Sequence, residues 1–160
     1  MAKVAKKNEI EIFIEKSNVI SENAKNYFKK KLAYGLENNN KKIYISDDSQ
    51  SLLVAIINQE DYDNSFNLID NKTAYLLYFN QNSNNILEKH FLDLLNFAEK
   101  DLKAYGFDKL TIGIEISAPQ DLMTIFKAGF TQFIKYSFRP LKSQNDYENN
   151  VLVAYYSKDI

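Results

Sequence analysis

The residues able to do chemistry in this chain are few. His90 is the single histidine, and there is no cysteine. That combination excludes a disulfide framework, thiolate zinc sites, iron–sulfur clusters and a cysteine nucleophile. It also argues against a zinc or triad role for His90, whose expected role is packing or solvation. Asp61, Asp63 and Ser65 fall at positions 1, 3 and 5 of a calcium-loop spacing, but Phe66 stands where position 6 needs glycine and Lys72 where position 12 needs glutamate. The stretch Asn58–Lys72 is therefore expected to be a solvated hairpin loop, with an acidic rim that attracts an amine as the second reading. Glu115 stands on the polar side of an alternating run and is a candidate general base.

Charge narrows the partners. Lys and Arg number 20 against 21 Asp and Glu, with a pI near 5.9, so nothing advertises nucleic acid. Arg139 is the only arginine, which excludes a clamp of several guanidinium groups on phosphate and leaves lysines as point charges. No metal is expected. No apolar run approaches the roughly 20 residues needed to span a bilayer. Met1–Lys7 is basic but leads into Asn8 and Glu9 without an apolar segment, so no secretory signal is read and a cytoplasmic location is expected.

These residues must be positioned by one α/β domain spanning 1–160, long enough to bury a core. Glu9–Glu15 alternates Glu, Ile, Glu, Ile, Phe, Ile, Glu, which predicts a strand. Ser17 or Ser21 caps a helix carrying Ile20, Ala24, Tyr27, Phe28 and Leu32, with Gly35 as its left-handed stop. Lys29–Lys31 then occupies the last turns, where cations suit the helix dipole. Three strands follow a turn at Asn38–Asn40: Ile43–Ser46, Leu52–Ile57 and Ala74–Phe79. The strongest helix is Ile86–Tyr105, whose apolar residues recur every three or four positions before Gly106. Leu110–Ile116 is a strand, and Pro119 opens a short helix to about Ala128 that Gly129 closes. Gln132–Phe138 and Val151–Tyr156 are the last strands, joined by a polar loop, Lys142–Asn150. Tyr155 and Tyr156 carry two readings: core packing, or an exposed edge that pairs with a second copy in a homodimer.

The order β-α-β-β-β-α-β-α-β-β gives a mixed, mostly antiparallel twisted sheet with helices on both faces. Leu94-Leu95-Asn96-Phe97-Ala98-Glu99, running through Tyr105-Gly106-Phe107, and then Phe126-Lys127-Ala128-Gly129-Phe130 resemble two segments of the GNAT (Gcn5-related N-acetyltransferase) superfamily. The likeness covers nearly the whole chain. It implies that acetyl-CoA or another acyl-CoA lies where the fourth and fifth strands splay apart, and that the acyl group passes to a small-molecule or protein amine.

The resemblance also implies roles for residues. The fourth-strand backbone at Tyr78, Phe79 and Asn80 would pair with the pantetheine arm. The family's glycine-bearing phosphate turn aligns with Ile86-Leu87-Glu88-Lys89-His90-Phe91, which holds no glycine and places Glu88 beside the expected anion. The substitute is an anion-binding nest of left-handed Asn84 and Asn85 with Lys89 as counter-charge; the alternative is that Ser83–Asn85 only caps the helix. Where the family has an acidic tyrosine, this chain has Ile125 or Phe126, neither able to give a proton. Ser117, Thr124 and Tyr136 are the nearest hydroxyls. Three functions stay open: an N-acyltransferase using acyl-CoA, one using acyl carrier protein, and a non-catalytic binding or regulatory protein of the same fold.

Overall fold

In the computed structural model the described residues are 1–58, 68–140 and 150–160. They form β1 (Lys3–Val4), α1 (Lys7–Lys16), α2 (Glu22–Glu37), β2 (Lys41–Ile45), β3 (Ser51–Ile56), β4 (Thr73–Asn80), α3 (Glu88–Ala104), β5 (Lys109–Glu115), α4 (Pro119–Lys127), β6 (Gln132–Pro140) and β7 (Asn150–Asp159). The acidic stretch with Asp61, Asp63 and Ser65 and most of the Lys142–Asn150 loop lie outside the described residues.

One sheet runs β1-β2-β3-β4-β5-β7-β6, antiparallel except between β4 and β5. The parallel pair is the strand–helix–strand unit expected around α3. Successive residues of β2 and β3 go to opposite faces. Ile43, Ile45, Leu52 and Val54 pack with Ile10, Phe13, Ile14 and Leu32 of α1 and α2. Tyr44, Leu53 and Ala55 join Phe91, Leu94, Leu95, Ala98 and Leu102 of α3 and Ile125 of α4. Both faces are covered, which is why Leu52–Ile57 reads as an unbroken apolar run.

The N-terminus departs from expectation. Glu9–Glu15 lies in helix α1, not a strand, and the first strand is the two-residue β1 pairing with Tyr44 and Ile45. The alternation of Glu and Ile fits period two, but Ile10, Phe13 and Ile14 fit a helical face equally, and they are the buried ones. Ile12, inward in the strand reading, is 52% exposed. Glu9 also caps the helix, accepting a bond from the Lys6 N–H at 2.8 Å.

Helix α2 begins after Ser21, which stands at the N-cap without a side-chain bond, so Ile20 precedes the helix, and α2 runs past Gly35 to Glu37. A Cβ on Gly35 would lie 2.6 Å from Lys41 Cδ, so the glycine admits the Lys41 stem. The left-handed residue is Asn39, φ 55°. Lys29–Lys31 is therefore mid-helix, with Lys29 paired to Glu15 and Lys31 5.5 Å from the Tyr27 ring. Gly106 and Gly129 do take positive φ, 103° and 101°, after α3 and α4.

Of the two readings of Tyr155 and Tyr156, core packing holds and the exposed edge is corrected. β7 is interior, between β5 and β6, and Tyr155 is fully buried. A closing strand that doubles back inside its predecessor is not visible in local pattern. The outer strand is β6, where Phe133, Ile134, Tyr136 and Phe138 are exposed.

Candidate active site

β4 and β5 are hydrogen-bonded partners only from Thr73↔Lys109 to Leu76↔Ile112. Beyond that point each stays paired on its outer side: β4 with β3 through Asn80↔Ser51, β5 with β7 through Glu115↔Val153. The sheet is thus unzipped between Leu77–Asn80 and Gly113–Glu115. Burial follows the opening, since Thr73–Leu76 are buried and Leu77, Tyr78 and Phe79 are half-buried. A strand edge released by its neighbour offers backbone donors and acceptors to an extended amide-bearing ligand.

The splayed half of β4 is fastened on its far side by a polar hub. Ser51 Oγ, fully buried, lies 2.9 Å from Tyr78 Oη, 2.9 Å from Asn80 Nδ2 and 3.0 Å from His90 Nδ1. His90 Nε2 is 2.9 Å from Asp48 Oδ2. All donors and acceptors match when the His90 proton is on Nε2: it donates to Asp48, Ser51 donates to Nδ1, and Tyr78 and Asn80 donate to Ser51. Burial alone would raise the Asp48 carboxyl, but hydrogen bonds from the Ser46 hydroxyl and the Gln50 N–H hold it below the ordinary range. Ser51 has no access to substrate, so Asp48–His90–Ser51 is a fastening and not a nucleophilic triad.

A second contact lies across the opening. The Ile86 N–H donates to Asp121 Oδ1 at 3.0 Å, joining the segment after β4 to the first turn of α4, the helix after β5. Asp121 is 8% exposed. Burial raises its carboxyl above the ordinary range and the Glu115 charge adds to this, while the Ile86 bond opposes it. Glu115, half-buried at the end of β5, is therefore an electrostatic neighbour of Asp121.

The structure places the sequence-derived candidates unevenly. Tyr78, Phe79 and Asn80 form the unzipped half of β4, but the Tyr78 and Asn80 side chains are committed to the hub and Phe79 meets Phe28 at 6.2 Å. Only their backbone faces the opening. Asn84 and Asn85 are exposed before α3, and the Asn85 N–H bonds Ser83 Oγ at 3.0 Å. Neither is left-handed, because positive φ at described non-glycine residues is confined to Asn39 and Ser49. Nor does Ser83–Asn85 cap α3: its N-cap is Leu87, without a side-chain bond. Lys89 is exposed in the first turn of α3, next to Glu88. Ser117 is exposed just past β5, whereas Tyr136 stands on β6, opposite Ala154 of β7, which in turn pairs with Ile114. Thr124 is buried and bonds the Gln120 carbonyl.

The opening fits a pantetheine arm by the β4 edge beyond its last pairing with β5. The phosphate end fits less well: Glu88 and the Asp121 carboxylate offset Lys89, and no glycine lies between Gly35 and Gly106 to assist. Sequence reasoning missed the hub and Asp121, since both join residues at least 27 positions apart. The only local signal was a lone His in the first turn of the central helix. Among the described residues no group of three or more His, Cys, Asp or Glu is arranged to hold a metal ion, and no helix is long and apolar enough to cross a membrane.

A mixed sheet unzipped between its parallel strands, with α1 and α2 on one face and α3 and α4 on the other, is the GNAT acetyltransferase fold. Among solved structures the chain is similar to the ribosomal-protein-alanine N-acetyltransferase of Brucella melitensis, at TM-score 0.68 and 9% identity over 100% of this chain and 99% of that one. It is similar also to an IAA acetyltransferase from Bacillus cereus, at TM-score 0.64 and 14% identity over 100% and 99%. A spermidine N-acetyltransferase variant from Vibrio cholerae matches at TM-score 0.63 and 9% identity over 99% and 94%. No protein-family model and no curated protein matches at the level of sequence.

Proposed function

We propose that this protein is an N-acyltransferase that takes an acyl group from a pantetheine thioester, acetyl-CoA or another acyl-CoA, and passes it to an amine. The observation that carries the reading is the unzipping of β4 from β5 beyond Leu76 and Ile112, beside the start of α3. The β4 backbone at Tyr78–Asn80 would hold the amides of the arm, with Asn84, Asn85 and Lys89 towards its phosphates. Glu115, or a water it holds, would take the amine proton as nitrogen attacks the thioester carbon. The C–N bond forms, the C–S bond breaks, and the thiolate takes a proton from solvent or from Ser117. Holding both reactants in register supplies several kcal/mol, so a dedicated acid is not required. The neighbours named for alanine of a ribosomal protein and for spermidine support an amine acceptor, small molecule or protein.

A second reading, ligand or partner binding without catalysis, is favoured by one observation: acidic Glu88 and Asp121 at the phosphate end. Incubation with acyl thioesters and a panel of amines, read by thiol release and by the mass of the amine, separates the two. Acylated amine supports transfer; no acylated product with any thioester overturns it.

A further inference from the structure

Asp121 occupies a telling position. Its carboxylate bonds the N–H of Ile86, two residues before the first residue of α3. The peptide N–H groups entering a helix are where an anion is best received, and here the chain's own buried carboxylate is held one residue before the N-cap, Leu87. Glu88 adds a second negative charge in the opening turn of α3, and Glu115 a third beside Asp121. Against these stands Lys89, exposed and strongly hydrated. A donor whose tail carries a diphosphate must bring its charge up to this group. It must either break the Ile86–Asp121 bond or lie beside it with like charges unscreened by a glycine-lined backbone. A donor whose pantetheine arm ends without that charge meets neither obstacle, while the unzipped β4 edge serves both equally.

We infer that Asp121 is a specificity-determining residue that turns the site away from diphosphate-bearing donors and towards acyl-pantetheine arms lacking the nucleotide. This rests on the acyltransferase reading above. The donor class is defined by charge at the far end of the arm: an uncharged acyl-pantetheine, or the arm attached elsewhere through a single phosphodiester. The contact also bridges the two elements that leave the splayed strands, so its strength sets how readily a bulky tail passes out between the start of α3 and α4.

The test is a charge ladder. S-acetyl-pantetheine, its 4′-phosphate and acetyl-CoA are titrated calorimetrically into the whole protein and into Asp121→Asn, which keeps an acceptor oxygen for Ile86 while removing the charge. The expected result is falling affinity along the ladder for the native protein. In Asp121→Asn, acetyl-CoA should gain about tenfold and S-acetyl-pantetheine should change less than twofold. Glu88→Gln, on the exposed face of α3, should move acetyl-CoA in the same direction by a smaller factor. Native protein that binds acetyl-CoA ten times more tightly than S-acetyl-pantetheine, or an Asp121→Asn variant with an unchanged ladder, overturns the inference and leaves the acyltransferase reading standing. No binding of any of the three thioesters to either protein overturns both.

Discussion

The backbone N–H of Ile86 and the carboxylate of Asp121, 3.0 Å apart, link the segment that follows β4 to the helix that follows β5. The strands themselves have parted at Leu76 and Ile112, so this bond spans the opening that their separation creates.

Burial and Glu115 hold the Asp121 carboxyl above its ordinary range. A carboxyl with a raised folded pKa stabilises the fold fully below its unfolded pKa of about 3.9 and loses that contribution as pH rises through the folded value. Asp121→Asn should therefore be more stable than the native protein at neutral pH, by about 0.5–1.5 kcal/mol, with the advantage vanishing near pH 4. Asp121→Ala removes the acceptor of the Ile86 N–H and should instead lose stability. Urea unfolding at pH 7 and pH 4 checks both; an Asn variant less stable than native at pH 7 would contradict the assignment.

Ser51 gathers bonds from two residues of β4 and from α3, and its removal leaves Asn80, 2% exposed, short of a partner. Ser51→Ala is expected to cost about 2–3 kcal/mol. The hub also fixes the His90 tautomer, and as the only histidine it gives an unambiguous nitrogen spectrum. At neutral pH the proton should appear on Nε2 in the native protein. A proton on Nδ1 would reverse the hydrogen-bond chain and refute it.

Gly113 is the first β5 position beyond the last pairing with β4, and it remains paired with Tyr155 of β7. A Cβ there would stand 2.6 Å from Tyr155 Cε1 and 2.9 Å from Val153 Cγ1. Gly113→Ala should destabilise by about 1–3 kcal/mol, because both contacts belong to buried side chains on the neighbouring strand. Thermal unfolding measures this, and an unchanged melting temperature would mean that Tyr155 is free to move aside.

Away from the opening, Asp101 accepts from Lys42 Nζ at 2.6 Å and from Tyr44 Oη at 2.8 Å. Burial alone would raise its carboxyl, yet the two bonds and the Lys42 charge leave it below the ordinary range. Such a group stabilises above the unfolded pKa of about 3.9 and loses its contribution as pH falls through the folded value. Asp101→Asn should cost about 1–2 kcal/mol at pH 7 and progressively less on acidification below pH 4. A penalty independent of pH would contradict this.

Local pattern carried most of the fold. The a-face of α3, the buried run of β3 and the glycine stops after α3 and α4 each state their structure within a dozen residues. Glu9–Glu15 misled because four apolar residues in seven satisfy two periods at once, and only the sheet surface chooses Phe13 over Ile12 as the inward residue. The position of β7 inside β6 was invisible, since strand order within a sheet leaves no mark on either strand. The unzipped strand pair could be anticipated from resemblance, and its backbone serves the site whatever side chains it bears. Asp121, Ser51 and His90 could not be joined from sequence: short-range pattern says nothing about which loop a carboxylate crosses to reach.

In the proposed function the gap beyond Leu76 and Ile112 receives the thioester arm. Backbone amide shifts recorded while S-acetyl-pantetheine is titrated into the labelled protein address it directly. Leu77–Asn80 and Gly113–Glu115 should move together along one saturable curve while Thr73–Leu76 stay still. Saturable shifts confined to another face, or none at millimolar thioester, would contradict it.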